Sequence, residues 1–174
     1  NSTVTALSVG NKTPVAIANT KTLSGAITVT GNSGQLKLTE TGTLASSIAM
    51  SGGVLYAHNS LTVSGTLTHT GNITIGVAVN KTLTYSGAAI SLGANTLTLR
   101  GAGSLVSGGL TLNDPSSKLL VDSMTVDSVS TSVDNSLGLH VRNGNPTISS
   151  LLVSNILPVQ IDGGRILSGA TTVT

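Results

Sequence analysis

Leu97-Thr98-Leu99-Arg100, Val106-Ser107-Gly108 and Leu110-Thr111-Leu112-Asn113 follow one another within a single short stretch, three strand signals separated by Gly, Ser and Ala. The first of them, an apolar-x-apolar triplet, recurs along the chain. It begins at Val15, Leu36, Leu55, Val77, Leu97, Leu119, Leu139 and Val159, at steps of 19 to 22 residues. An internal repeat of this length is the mark of a solenoid. The spaced Leu and Asn pattern of leucine-rich repeats is missing. Three short strands per repeat describe a parallel β-helix, an all-β solenoid of about eight coils with three faces. General crossover chirality makes it right-handed.

The other two strands of each coil supply an independent check. The second reads as one large residue followed by small ones, at Leu23, Leu44, Val63, Tyr85, Val106, Val126, Ile148 and Leu167. The third reads Ile27 to Thr30, Ile48 to Ser51, Leu67 to Thr70, Ile90 to Gly93, Leu110 to Asn113, less cleanly Ser132 to Asn135, and Leu151 to Ser154. Side chains alternate across a strand, so i and i+2 enter the core while i+1 and i+3 face water. Stacking then turns each position into a column. Ile17, Leu38, Ala57, Val79, Leu99, Val121, Val141 and Ile161 form one expected buried column, and the large residues of the second strands form another.

Composition fits a narrow interior. Hydrophobic residues make up 39% of the 174, charged residues 8%, and Phe, Trp and Cys are absent. Val, Ile, Leu and Thr carry the strand propensity, and 21 glycines with many Asn and Ser suit tight corners. The unbroken repeat offers no linker, so residues 1–174 read as one domain. A formal charge of +2, scattered, and only two tyrosines leave no basic patch or stacking platform for nucleic acid. No apolar run reaches the length of a membrane span. The chain has no starting Met and no signal-peptide pattern, and so reads as mature or excised material. Lack of Cys is compatible with a cell-surface location. Sequons begin at Asn1, Asn11, Asn72 and Asn80 and matter only in a glycosylating host.

Both ends fall inside the repeat, Leu7 to Gly10 and Thr171 to Thr174 fitting third strands, with no polar cap. The expectation is a rod uncapped at both ends. It either continues covalently in a longer chain or stacks end to end through Leu7, Val9, Thr171 and Val173.

At Asp162-Gly-Gly-Arg-Ile-Leu-Ser-Gly-Ala-Thr-Thr-Val-Thr174 the chain resembles the glycine-rich repeats of bacterial autotransporter passengers. Asn95 to Ser104 and Leu61 to Thr68 are similar to the β-helical repeats of filamentous-haemagglutinin-like adhesins. The resemblance implies a secreted or surface-displayed stalk, filament or adhesin with a glycan or surface receptor as partner. It carries over no active-site residue.

One column carries charge. The residues after the opening triplets are Ala18, Thr39, His58, Asn80, Arg100, Asp122, Arg142 and Asp162, and the last four alternate in sign. With coils about 4.8 Å apart, opposite charges become neighbours. They read as an exposed ladder that holds register, with a glycan or carboxylate subsite as the functional alternative. The β-helical lyases and glycosidases need acids converging on one groove. Glu40, Asp114, Asp122, Asp127, Asp134 and Asp162 do not converge by this register, so the chain reads as no enzyme and needs no cofactor. His58 and His140 point outward four coils apart and His69 sits at an inward position, so no metal site is expected. Ser24, Ser64, Ser86, Ser107, Ser149 and Ser168 read as one small-residue ladder.

Ice binding is the other function in view, through outward Thr28/Thr30, Thr68/Thr70 and Thr172/Thr174. The coils between them interrupt that pattern with Ala49/Ser51, Ser91/Gly93, Thr111/Asn113, Val133/Asn135 and Leu152/Ser154. The expected role is therefore mechanical, an extracellular rod, filament subunit or adhesin stalk.

Overall fold

A computed structural model describes residues 1–174 and contains strands, turns and no helix. Every strand pair in it is parallel. One sheet stacks one strand per coil, eight in all. In order these are β2 (Lys12–Val15), β4 (Gln35–Leu38), β7 (Val54–Ala57), β10 (Ile73–Val77), β13 (Thr96–Arg100), β16 (Lys118–Val121), β18 (Gly138–Val141) and β20 (Val159–Ile161). This is the β-solenoid that the repeat predicts.

The second and third strands of the coils merge into one 13-stranded sheet. It begins with β1 (Ser2–Val9), β3 (Thr22–Val29), β5 (Thr43–Leu44), β6 (Ser47–Met50), β8 (Leu61–Val63) and β9 (Leu67–His69). It continues with β11 (Thr82–Tyr85), β12 (Ile90–Ser91), β14 (Ser104–Val106), β15 (Leu110–Leu112), β17 (Thr125–Thr131), β19 (Thr147–Val153) and β21 (Ser168–Val173). The merger occurs because β1, β3, β17, β19 and β21 run through both faces as single strands of six to eight residues. Elsewhere a corner of Gly, Ser and Ala divides the two faces.

The interior is one cluster of 33 buried apolar residues. Leu38, Ala57, Leu99, Val121 and Val141 are at most 1% exposed, as the column register requires. Val79 is not: it is 62% exposed. Strand β10 reads Ile-Thr-Ile-Gly-Val, and it faces Ile73, Ile75 and Val77 inward, stacking Ile75 on Leu55 and Val77 on Ala57. The expected register would bury Val77 and Val79 and lose the two isoleucines. Burying one such side chain is worth about 1.5–3 kcal/mol, so three apolar residues win over two. Val79 is left in the turn that follows.

The same strand absorbs a phase change. Ile75 pairs with Leu55 on one side and Leu99 on the other, so the columns slip by two residues across this coil. Val15 is displaced likewise and stacks on Leu38 rather than Leu36.

Two further expectations are corrected. Val106 faces outward at 43% exposure, and Leu105 takes the inward place between Leu83 and Val126. Leucine offers the larger apolar surface of the two. The third strand of the next coil is Val129-Ser130-Thr131 rather than Ser132 to Asn135, with Val129 between Leu110 and Leu151. Its buried Asn135 forms the corner instead, donating to the Asp114 and Ser117 carbonyls at 2.9 Å while its Oδ1 accepts the amides of Leu137 and Gly138. Ile161, in the last coil with nothing stacked above it, is 45% exposed rather than buried.

The third-strand stack is also interrupted. Strand β9 pairs with β6 but not with β12, and these two strands lie at opposite ends of the sheet order. Tyr85, 6% exposed, wedges into the corner and its hydroxyl accepts the Leu67 amide at 3.0 Å. His69 crosses the same gap, its ring nitrogens 3.2 Å from the Gly71 carbonyl and 3.0 Å from the Ser91 carbonyl. Side chains thus replace ladder hydrogen bonds where backbone pairing fails.

Candidate functional site

The outer face of the eight-stranded sheet carries Lys37, Tyr56, Arg100, Asp122, His140, Arg142 and Asp162. Alternation leaves two outward columns on it. The first runs Lys12, Gln35, Val54, Thr74, Thr98, Leu120, His140 and Gln160, each paired with the next. The second runs Pro14, Lys37, Tyr56, Gly76 and Arg100. It continues through Asp122, Arg142 and Asp162, whose amides bond the Leu99, Val121 and Val141 carbonyls of the coil below. The four charged residues therefore occupy one column, as expected. The early members differ: Lys37 and Tyr56 stand two residues before the expected Thr39 and His58, and Gly76 four before the expected Asn80, because β10 meets Leu97 and Leu99 with Ile73 and Ile75 instead of Val77 and Val79.

The charges pair unevenly. Arg142 Nη2 donates to Asp122 Oδ1 at 3.2 Å, and Asn143 Nδ2 adds a contact at 3.4 Å. Asp162 does not turn to Arg142. It accepts His140 Nε2 at 2.9 Å and Gln160 Nε2 at 3.4 Å, both from the neighbouring column. The hydrogen bond from His140 is the main reason its carboxyl sits below the usual carboxylate value. Desolvation is the next largest influence and opposes it, while the His140 charge, the Gln160 hydrogen bond and the Arg142 charge add smaller pulls downward. Arg100 is exposed and makes no side-chain hydrogen bond or ion pair.

Around Arg100 the sheet surface dips. Gly76 is buried beneath the Tyr56 ring, and a Cβ there would lie 2.4 Å from Tyr56 Cδ2. The ring therefore lies across the strand instead of standing off it. His58 meets it edge to face, with ring centroids 4.8 Å apart at 62°. Gln35, Val54, Thr74 and Gly101 complete a groove of about 270 Å³ with Tyr56, Gly76 and Arg100. Sequence reasoning missed this group because its members are contributed by four coils. The one signal available was a glycine at an outward strand position beside a tyrosine two coils from an arginine.

The remaining candidates do not assemble. Asp127 accepts the Ser107, Gly108 and Ser128 amides at 2.9 Å and clamps a corner. Asp134 accepts the Ile156 amide at 3.0 Å and Asp114 the Ser116 amide at 2.8 Å. No group of three His, Cys, Asp or Glu side chains converges to hold a metal ion. The six serines form no hydroxyl ladder: Ser107 is buried against Asp127 while Ser64, Ser86, Ser149 and Ser168 are exposed.

The threonine face is divided. Thr28, Ala49 and Thr68 are in register on one side of the β9/β12 gap, and Ser91, Thr111, Ser130, Leu152 and Thr172 on the other. Of the expected end contacts, Val9 is fully buried against Val29 and Leu7 half-buried against Ile27. Thr171 and Val173 pair with Leu151 and Val153 on the far side and are exposed. No helix is long and apolar enough to cross a membrane. Comparison with protein-family models, with curated proteins and with solved structures returned no match.

Proposed function

We propose that this chain is a structural rod, a stalk or filament segment of a secreted or surface-displayed protein whose work is to space and display. The observation that carries the reading is the eight-stranded ladder, uninterrupted from β2 to β20. Seven strand spacings give it a length of about 34 Å, and every step is closed by backbone hydrogen bonds rather than by loops. A body built this way resists bending because shortening one side means breaking a ladder. Strands β1 and β21 offer their outer edges to a further coil, either of the same longer chain or of another copy. The resemblance to adhesin repeats supports a place outside the cell.

Duplicating two complete coils tests it. Small-angle scattering should show a particle lengthened by about 10 Å at unchanged cross-section, one strand spacing per coil. A particle that thickens, or that gains no length, would overturn the rod reading. Electron microscopy of the unaltered chain then separates filaments from single rods.

A further inference from the structure

We propose that the groove between Tyr56 and Arg100 is a binding subsite for an acidic saccharide, a hexuronate unit within an oligosaccharide. Four observations converge on that chemistry. Tyr56 and Arg100 lie two strand spacings apart, about 10 Å, with only the side-chain-free Gly76 between them. The Tyr56 ring covers Gly76, so a pyranose ring laid on the outer face of that ring reaches toward the Arg100 guanidinium in the next coil of the column. The negative face of an aromatic ring attracts the weakly positive C–H face of a sugar, and His58 holds that ring in its crossed orientation.

Charge decides which sugar. Lys37 and Arg100 flank the tyrosine in one column and no acid lines the groove. The nearest carboxylate in the column, Asp122, is engaged by Arg142 at 3.2 Å, which leaves the Arg100 fork free for a ligand carboxylate. The Tyr56 hydroxyl has no protein partner, and Gln35 and Thr74 add donors and acceptors suited to ring hydroxyls. The volume of about 270 Å³ holds one or two sugar units. Nothing here depends on the chain being a rod, and a rod could carry one such subsite or none.

The test is a titration of the intact chain with digalacturonate, followed by NMR at the Tyr56 ring and the Arg100 Nε–H. Saturable shifts at both groups are expected. Tyr56→Ala and Arg100→Gln should each weaken binding about tenfold, and Gly76→Ala about threefold by pushing the ring aside without touching any charge. Tyr56→Phe keeps the platform and should bind within about threefold of the parent, which guards against a folding artefact in Tyr56→Ala. A neutral disaccharide should bind about tenfold more weakly, and acetate alone should leave the Tyr56 ring unshifted. Three results would each overturn the assignment: absence of saturable shifts, binding indifferent to Tyr56→Ala and Arg100→Gln, or equal binding of the neutral disaccharide.

Discussion

Backbone conformation at single residues sets part of this molecule's stability. Three corners that follow the eight-stranded face close with the same turn. Lys21 bonds the Ala18 carbonyl at 2.9 Å, Lys81 the Ala78 carbonyl at 3.1 Å, and Arg165 the Asp162 carbonyl at 3.0 Å. The third residue of each has positive φ: Thr20 at 64°, Asn80 at 57° and Gly164 at 74°. Glycine and asparagine suit that conformation, whereas a β-branched threonine is strained in it. Thr20→Asn should therefore stabilise the protein by about 1 kcal/mol, and Asn80→Thr should cost a similar amount, both read as shifts in denaturant midpoint at constant m-value. Asp162 supplies a pH signature. Its folded-state carboxyl titrates below the ordinary value because His140 donates to the ionised form. That contribution is complete above the ordinary carboxylate range and is lost as pH falls through the lowered folded value. Asp162→Asn should flatten the acid limb of a stability-against-pH curve, and an unchanged limb would mean the pair contributes nothing.

Strands and corners explain where the repeat departs from regularity. Strand β10 changes the phase of the columns because it carries three inward apolar residues, enough to satisfy one register below and another above. Leu99, its stacking partner, is 0% exposed, whereas Val79 is 62% exposed. Leu99→Ala should cost about 2–5 kcal/mol, and Val79→Ala no more than about 0.5 kcal/mol. Equal costs would restore the simple repeat count. At the interruption between β9 and β12, Tyr85→Phe removes the acceptor of the Leu67 amide while leaving the ring in place. A loss of about 1 kcal/mol is expected, with faster hydrogen exchange at the Leu67 amide than at the Ile48 amide of β6.

Over the whole molecule, each coil contacts only its neighbours, so stability is a sum along the axis rather than a property of one globular core. Central coils bury their columns completely, while Val159 and Ile161 of the last coil remain 45% exposed. Amide exchange should accordingly be slowest in β10, β13 and β16 and fastest in β20 and β21. Uniform protection from end to end would indicate that another copy or a further coil covers the outer strands in solution. The two outer strands are not equivalent probes of that contact. Val173 is 77% exposed and open to substitution, whereas Val9 is 0% exposed, so a lysine at Val9 would break the first coil as well as its edge. Val173→Pro removes a ladder donor at the exposed end alone and is the cleaner block to stacking.

The all-β solenoid, its number of coils and most inward positions follow from the sequence by itself, because a period-2 pattern repeated every 19 to 22 residues has only one way to bury its apolar half. The column of Arg100, Asp122, Arg142 and Asp162 was legible for the same reason, since the last four coils keep one register. What the count of residues could not supply was the choice between registers that differ by a few positions. Leu105 over Val106, Ile75 over Val77 on Leu55, and Val129 over Ser132 were decided by which apolar side chain stacks on the neighbouring coils. The pairing of Asp162 with His140 rather than Arg142, the Tyr85 wedge and the Tyr56 groove belong to that second class. Each depends on side chains from different coils meeting at atomic distances, and only the packed stack sets those distances.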